Sequence, residues 1–357
     1  MESVEDDSRR RDAPVSEKRK LKPVLDGDWW LIGPSPDLRG LLPGAEEHLR
    51  KWEAGGKEGE HNAPVDHHAF RDPEGIWHLW GCVRATAVVR ILYHWRAESL
   101  TDSPWEDTRE MIRCDRDAGE CLNDRQSEQI QSPFFVEHEG LYYMFYGGTS
   151  AGVRDEEGRL IDPADLDPGH PLRATYGPSQ ICLMTSPDGR NWTRRSDERG
   201  YSRLFVGPGA DRDPCVIRVG DRWHIYYVGF EGAARENHGF CLRTSEDLIH
   251  WSEPQFVHRD ASFGRRHTRC ECPFVAYRGG YYYLFRTVDY YSAETYVFRS
   301  EDPTDFGVGD SRDKLVCRFP GAAVEIYTDE DGTEYVSSNH NPPLGTQMCR
   351  LRWEPDE

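Results

Sequence analysis

A two-part repeat constrains this chain more than any other feature. An apolar strand, a tight turn and an aromatic strand recur as PFFVEHEGLYYMFYGG from Pro133, PCVIRVGDRWHIYYVGF from Pro214 and PFVAYRGGYYYLFRT from Pro273. Looser copies are HHAFRDPEGIWHLWG from His67 and AVEIYTDEDGTEYVSS from Ala323. Each reads as an antiparallel hairpin with period-two alternation. A third strand follows, running into a Ser/Thr-Asp turn that ends on an aromatic: LMTSPDGRNW at Trp192, LRTSEDLIHW at Trp251, VFRSEDPTDF at Phe306 and LYHWRAESLTDSPW at Trp105. The Asp bonds the turn backbone and the aromatic wedges between neighbouring sheets. MCRLRWE near the C-terminus supplies the last such strand.

Five such units predict an all-β, five-bladed β-propeller. Blade cores are expected near 64–105, 131–192, 212–251, 270–306 and 322–353, inside a catalytic domain over 25–357, with DGDWWLIGP adding a ring-closing strand. Residues 1–24 read as a flexible charged lead-in, and the Asp/Pro/Gly-rich stretch from Arg154 to Pro178 as a long surface loop.

Composition excludes several functions. A net charge of −19 is wrong for a nucleic-acid partner, which needs clustered Lys and Arg. No apolar window is long enough to span a membrane, and the N-terminus has no apolar core of a secretory signal, so a cytoplasmic protein is expected. The ten cysteines, several inside strands (Cys82, Cys182, Cys215, Cys241, Cys349), are expected to be buried reduced thiols. Cys270 and Cys272 with His267 have no second ligand pair at zinc spacing, so no metal is assigned.

The first strand of each propeller sheet lines the central channel. Lining up the units on the proline inside that strand places Asp213, Glu271 and Ser132 at the channel entrance. In the first unit the entrance residue is Asp66, with His67 replacing the proline, while Asp72-Pro73-Glu74-Gly75 falls at the hairpin turn, where D-P-x-G is ordinary turn chemistry. Asp66, Asp213 and Glu271 are therefore the catalytic candidates, because glycoside hydrolysis needs one protonated and one ionised carboxyl about the scissile bond. A further acid can tune the pair.

Asp211-Arg212-Asp213-Pro214 resembles the R-D-P motif, and Arg269-Cys270-Glu271-Cys272-Pro273 the E-C-P motif, of glycoside hydrolase family 32 and its family 43 neighbours. The resemblance runs from about Pro64 to Trp353; the W-M-N-D-P-N-G string of family 32 is not found in blade one, and no C-terminal β-sandwich is expected. It implies Asp66 as base or nucleophile, Asp213 as transition-state stabiliser and Glu271 as proton donor. It also implies a small carbohydrate substrate, no required cofactor, and a channel Ca²⁺ in some relatives, for which no ligand set is legible here.

Hairpin geometry adds Arg84, Glu231 and Arg286 at the ends of second strands, with Gln131 beside Ser132, His67 and His68 beside Asp66, and His340 after the last hairpin. Glu325, two residues past the entrance of blade five, shares that position's facing. The run Arg265-Arg266-His267-Thr268-Arg269 reads as a solvated loop or as a subsite for an anionic group. Three functions stay open: a hydrolase of a furanoside or short oligosaccharide, a glycoside phosphorylase of the same architecture, and a non-catalytic carbohydrate-binding propeller.

Overall fold

The computed structural model describes residues 17–357 apart from 56–60, 122–127, 150–152, 155–159, 162–178, 208–211, 232–236 and 264–269. It is a β-propeller whose strands follow the repeat. Blade one comprises Ala63–Arg71, Trp77–Thr86, Val89–Ala97 and Glu106–Ile112. Blade two has Glu128–His138, Leu141–Thr149 and Ser179–Ser186, edged by Thr193–Arg194 and Arg203–Val206. Blade three is Arg212–Val219, Arg222–Glu231, Asn237–Ser245 and Gln255–His258. Blade four is Glu271–Arg278, Tyr281–Asp289, Glu294–Ser300 and Leu315–Pro320.

Blade five closes the ring with strands from both ends of the chain. Glu325–Thr328, Glu334–Ser338 and Thr346–Pro355 lie side by side, and Leu21–Leu25 pairs antiparallel with the last of them, Leu21 opposite Pro355. Four residues expected in the lead-in thus belong to the sheet. Trp30–Gly33, within the segment read as a ring-closing strand, pairs with Thr346–Met348 of the same strand. Inner strands of successive blades pack against one another. Blades four and five are tied where Ala323 N–H donates to Thr287 Oγ1 at 2.8 Å. Of the stretch read as a surface loop, the described part is Val153–Arg154 paired with Leu160–Ile161; the rest lies outside the described residues.

The turns do what the repeat implies. Asp247 Oδ1 accepts the backbone N–H groups of Ile249 and His250 at 2.9 and 2.8 Å, and Asp188 does the same for Arg190 and Asn191. Asp72 Oδ1 accepts Glu74 and Ile76 N–H within the first hairpin turn. The turn aromatics Trp105 and Phe306 are buried between sheets. A ten-residue helix, Ala45–Ala54, is the one long helix among the described residues; the repeat, which describes strands only, gave no expectation for it. No helix is long and apolar enough to cross a membrane.

One cysteine expectation is corrected: Cys114 and Cys121 are joined by a disulfide across the connection after blade one. Both lie in a loop, outside the strand pattern that identified the buried thiols. The remaining eight cysteines are free.

Trp105 is 2% exposed, so Trp105→Ala leaves a large cavity against blade one. A loss of about 3–5 kcal/mol in unfolding free energy is expected by urea denaturation. A loss under about 1 kcal/mol shows the turn aromatic is not a wedge.

Candidate active site at the channel mouth

Every inner strand begins with the same backbone irregularity. In blades one to four the ladder slips by a bulge at Val65/His67, Gln131/Phe134, Arg212/Cys215 and Glu271/Phe274. The residue at the bulge has positive φ in all five blades: Asp66 (44°), Ser132 (53°), Asp213 (57°), Cys272 (50°) and Ala323 (48°). Pro133, Pro214 and Pro273 follow three of them, at a point where a missing N–H costs the ladder nothing. This backbone turns five side chains toward one axis.

The register corrects one assignment. The blade-four residue equivalent to Asp66 and Asp213 is Cys272, not Glu271. Glu271 stands one residue earlier, level with Arg212 and Gln131. The proline that anchored the comparison follows Cys272 directly, so counting back one residue in every blade selects the thiol.

Asp66, Ser132, Asp213, Cys272, Ala323 and Glu325 share one narrow cavity. Tyr290 Oη donates to Asp66 Oδ1 at 2.6 Å, and Cys272 Sγ donates to the same oxygen at 3.2 Å. Ser132 Oγ lies 2.6 Å from Asp213 Oδ1 and 3.3 Å from Asp66 Oδ2, so a single hydroxyl bridges the two aspartates. Asp213 Oδ2 accepts Cys272 N–H at 3.1 Å. Burial, and then the adjacent Asp66 charge, push the Asp213 carboxyl up to about 6 against the pull of Arg212. The Ser132 hydroxyl, donating to Asp213 Oδ1, also opposes the rise.

Glu271 lies outside this pocket and nearer solvent. Its side chain is 29% exposed, against 10% for Asp66 and 3% for Asp213. Arg212 connects it to the buried pair, with Nη2 3.0 Å from Glu271 and Nε 3.5 Å from Asp213. On the other side Arg90 Nη1 is 4.0 Å from Asp66 Oδ2 and donates to Gln131 Oε1.

The other expected residues divide. Gln131 and Ser132 are in the site. His68 and Glu325 face the channel one level deeper, with His68 Nε2 3.8 Å from Glu325 Oε2. The His67 imidazole is bonded instead to Asn339 Oδ1 and Ser337 Oγ, joining blade one to blade five. Arg84 lies at the mouth end of its strand opposite Ala63; the arginine that approaches Asp66 is Arg90, one strand further out. Arg286 is a correction. Its guanidinium is fully buried, and turns outward to the carbonyls of Asp260 and Phe263, each at 2.8 Å. His340 bonds Ser338 Oγ at 2.8 Å and packs edge-on against Trp29, with no bond to the three acids. The Glu231 side chain and Arg269, with the whole basic run, lie outside the described residues.

Sequence reading missed Cys272, Arg90 and Arg212 as site residues; it offered Tyr290, in the pair Tyr290-Tyr291, only as an aromatic for a carbohydrate, not as a partner of Asp66. Cys272 and Arg212 were legible from strict register; Tyr290 reaches in from just past the second strand of blade four and Arg90 from the third strand of blade one, and neither carries a motif of its own.

A cation is poorly served here. Asp66, Asp213 and Cys272 place one ligand atom each within 4.8 Å of one another. Burial raises the Cys272 thiol well above its ordinary range, and that thiol is already a donor to Asp66. Ca²⁺ takes six to eight oxygens, and the described channel residues at this level offer two carboxylates and one hydroxyl.

Comparison with known proteins agrees on the fold. No family model matches the sequence. The structure resembles the Bombyx mori family 32 β-fructofuranosidase, with a TM-score of 0.54 and 15% identity over 89% of this chain and 68% of that one. It resembles a thermostable family 43 glycoside hydrolase with a TM-score of 0.52 and 15% identity, over 82% of this chain and 90% of that one. The chain shares their propeller fold. Among curated proteins, a 1,2-β-oligomannan phosphorylase of Thermoanaerobacter sp. (strain X514) is 23% identical over 127 residues, 34% of this chain and 37% of that relative's length.

The raised Asp213 carboxyl has a signed consequence. A carboxyl that binds its proton more tightly when folded stabilises the fold below about pH 4; that contribution is lost as pH rises through 6. Two pH units correspond to roughly 3 kcal/mol. Unfolding free energy of the wild type is expected to fall from pH 4 to pH 7 by up to about that amount relative to Asp213→Asn. Denaturation series that run parallel across this range disprove the shift.

Proposed function

We propose that the protein is a glycoside hydrolase acting on a furanoside or a short oligosaccharide. The observation that carries the reading is the convergence of three carboxyl groups from three blades on one channel mouth. Two are buried and bridged by Ser132, and the third faces solvent through Arg212. Asp66, accepting hydrogen bonds from Tyr290 and Cys272, is oriented as the nucleophile or base. Glu271 is the proton donor: of the three acids it is the most exposed, so it can exchange protons with solvent and meet a leaving group at the mouth. Asp213 holds a sugar hydroxyl or the developing positive charge, and Arg212 transmits its charge state to Glu271. The fold shared with family 32 and family 43 hydrolases supports this reading.

A second reading rests on Arg90 and Arg212, which flank the aspartates and suit a bound phosphate. The phosphorylase relative matches over about a third of the chain. In that case inorganic phosphate replaces the protein nucleophile or the water, and one carboxylic acid suffices.

The test is turnover of aryl α-L-arabinofuranoside, β-D-xyloside, β-D-fructofuranoside and β-D-galactofuranoside, with and without phosphate. Glu271→Gln is expected to lower kcat by about 10²–10⁴ on poor leaving groups and far less on activated ones, the signature of a lost general acid. Asp66→Asn is expected to be inactive on both. A strict phosphate requirement transfers the protein to the phosphorylases. Turnover insensitive to both substitutions removes these residues from the chemistry.

A further inference from the structure

Two residues past each bulge, the next inward position holds His68, Phe134, Cys215, Phe274 and Glu325. This level of the channel is mostly apolar, which makes a carboxyl there costly unless it is satisfied. Glu325 is 7% exposed and its Oε2 has no hydrogen-bond partner among the described residues. Burial, reinforced by the Asp213 and Asp66 charges above it, pushes its carboxyl well above the usual carboxylate range. The groups facing it are His68 and Asp66 from blade one, Asp213 and Cys215 from blade three, and Tyr327 from its own strand.

His68 is fixed in one form. Its Nδ1 accepts Phe135 N–H at 3.3 Å, so the ring proton of the neutral imidazole is on Nε2, the nitrogen that faces Glu325. Stacking on Phe134, centroids 4.0 Å apart, holds the ring in place, and burial lowers its proton affinity to about 3. Between this pair and the aspartates lies the cavity lined by Asp66, Ser132, Asp213, Cys272 and Glu325, with a volume of about 10 Å³. That is room for about one water. Two to four polar partners are needed to hold such a water, and the lining supplies them.

We propose that Glu325 is a positioning residue: with His68 behind it, it holds one water in the channel against the inner side of Asp66 and Asp213, and this water fixes how the two aspartates share their proton. A carboxylic acid suits the place because its Oε2, unpartnered and 3.8 Å from His68 Nε2, is free to accept from a water, while its O–H can donate to one. The water can then donate to an aspartate. An amide keeps a donor and an acceptor for the water; an aliphatic side chain keeps neither. No proton leaves Glu325 in this scheme. The assignment of the aspartates rests on the hydrolase reading, whereas the water and the protonated acid do not.

Three measurements on the full chain test this. Infrared difference spectra at pH 8, where Asp213 is ionised, are expected to show a protonated-carboxyl band that Glu325→Gln abolishes. A high-resolution crystal structure is expected to show a water about 2.6–3.2 Å from Glu325 and from an aspartate oxygen, kept in Glu325→Gln and expelled from Glu325→Leu. On a cleaved glycoside, Glu325→Gln is expected to retain turnover within about twofold and an unchanged pH profile, while Glu325→Leu moves the acidic limb upward because the aspartates lose a donor. No band at pH 8, no bridging water, or a Gln variant as impaired as the Leu variant overturns the proposal. Band and water without turnover of any glycoside leave it standing and sink the hydrolase reading instead. If Glu325→Leu fails to fold, the spectrum, the crystal structure and the Gln variant still decide the matter.

Discussion

The positive-φ kink at the head of each inner strand is the constraint on which the rest of the site depends. Non-glycine residues in this region cost of order 1–3 kcal/mol each and persist only where the surroundings fix them. Here the fixing is mutual. Cys272 N–H is anchored on Asp213, Ala323 N–H on Thr287, and Ser132 Oγ on both aspartates. Each blade's kink is held by a group from a neighbouring blade, so the entrance residues act as a ring of linked positions. A regular strand would send these side chains alternately into the sheet faces and leave the axis to backbone.

Once two carboxyls are forced together in a space with room for about one water, electrostatics assigns them different states. They cannot both be charged at low cost, and burial penalises the deeper one. Asp66 accepts from Tyr290, Cys272 and Ser132 and lies near Arg90, whereas Asp213 is more deeply buried and keeps its proton to about pH 6. The arginines keep the mouth from being uniformly negative, which matters in a chain of net charge −19. Arg212 in particular contacts one buried and one solvent-facing acid, so a change of charge on Glu271 is felt at Asp213 through a single guanidinium.

Architecture was legible in the sequence because it is repeated, and the two halves of the repeat verify each other. The turn aspartates and wedge aromatics are local chemistry with fixed spacing, and Asp66 against Asp72 was decided by register alone. The same logic, relaxed by one residue in blade four, selected Glu271 as the equivalent of Asp213. Glutamate is longer and starts one residue earlier, so it approaches the same mouth from further out and is held there by Arg212. Arg286 failed for a different reason: strand position indicates which end of a blade a residue occupies, but alternation then turns its side chain to one face or the other, and Arg286 faces the carbonyls after strand four of blade three. Tyr290 lies just past a strand end, where no periodicity predicts facing.

The five entrance positions are not equivalent, and their order gives the site a direction. Asp66, Ser132 and Asp213 occupy consecutive blades, while Cys272 and Ala323 complete the ring with a thiol and a methyl group. Charge is thus concentrated on one arc of the channel and the opposite arc is nearly neutral. Glu271 rises from the neutral arc, displaced outward by the single residue that separates it from Cys272. A ligand entering the mouth therefore meets a buried acidic side below and an exposed carboxyl beside it. Two acids at one level and a third offset from them give a ligand two chemically different sides, which a ring of five identical entrance residues would not provide.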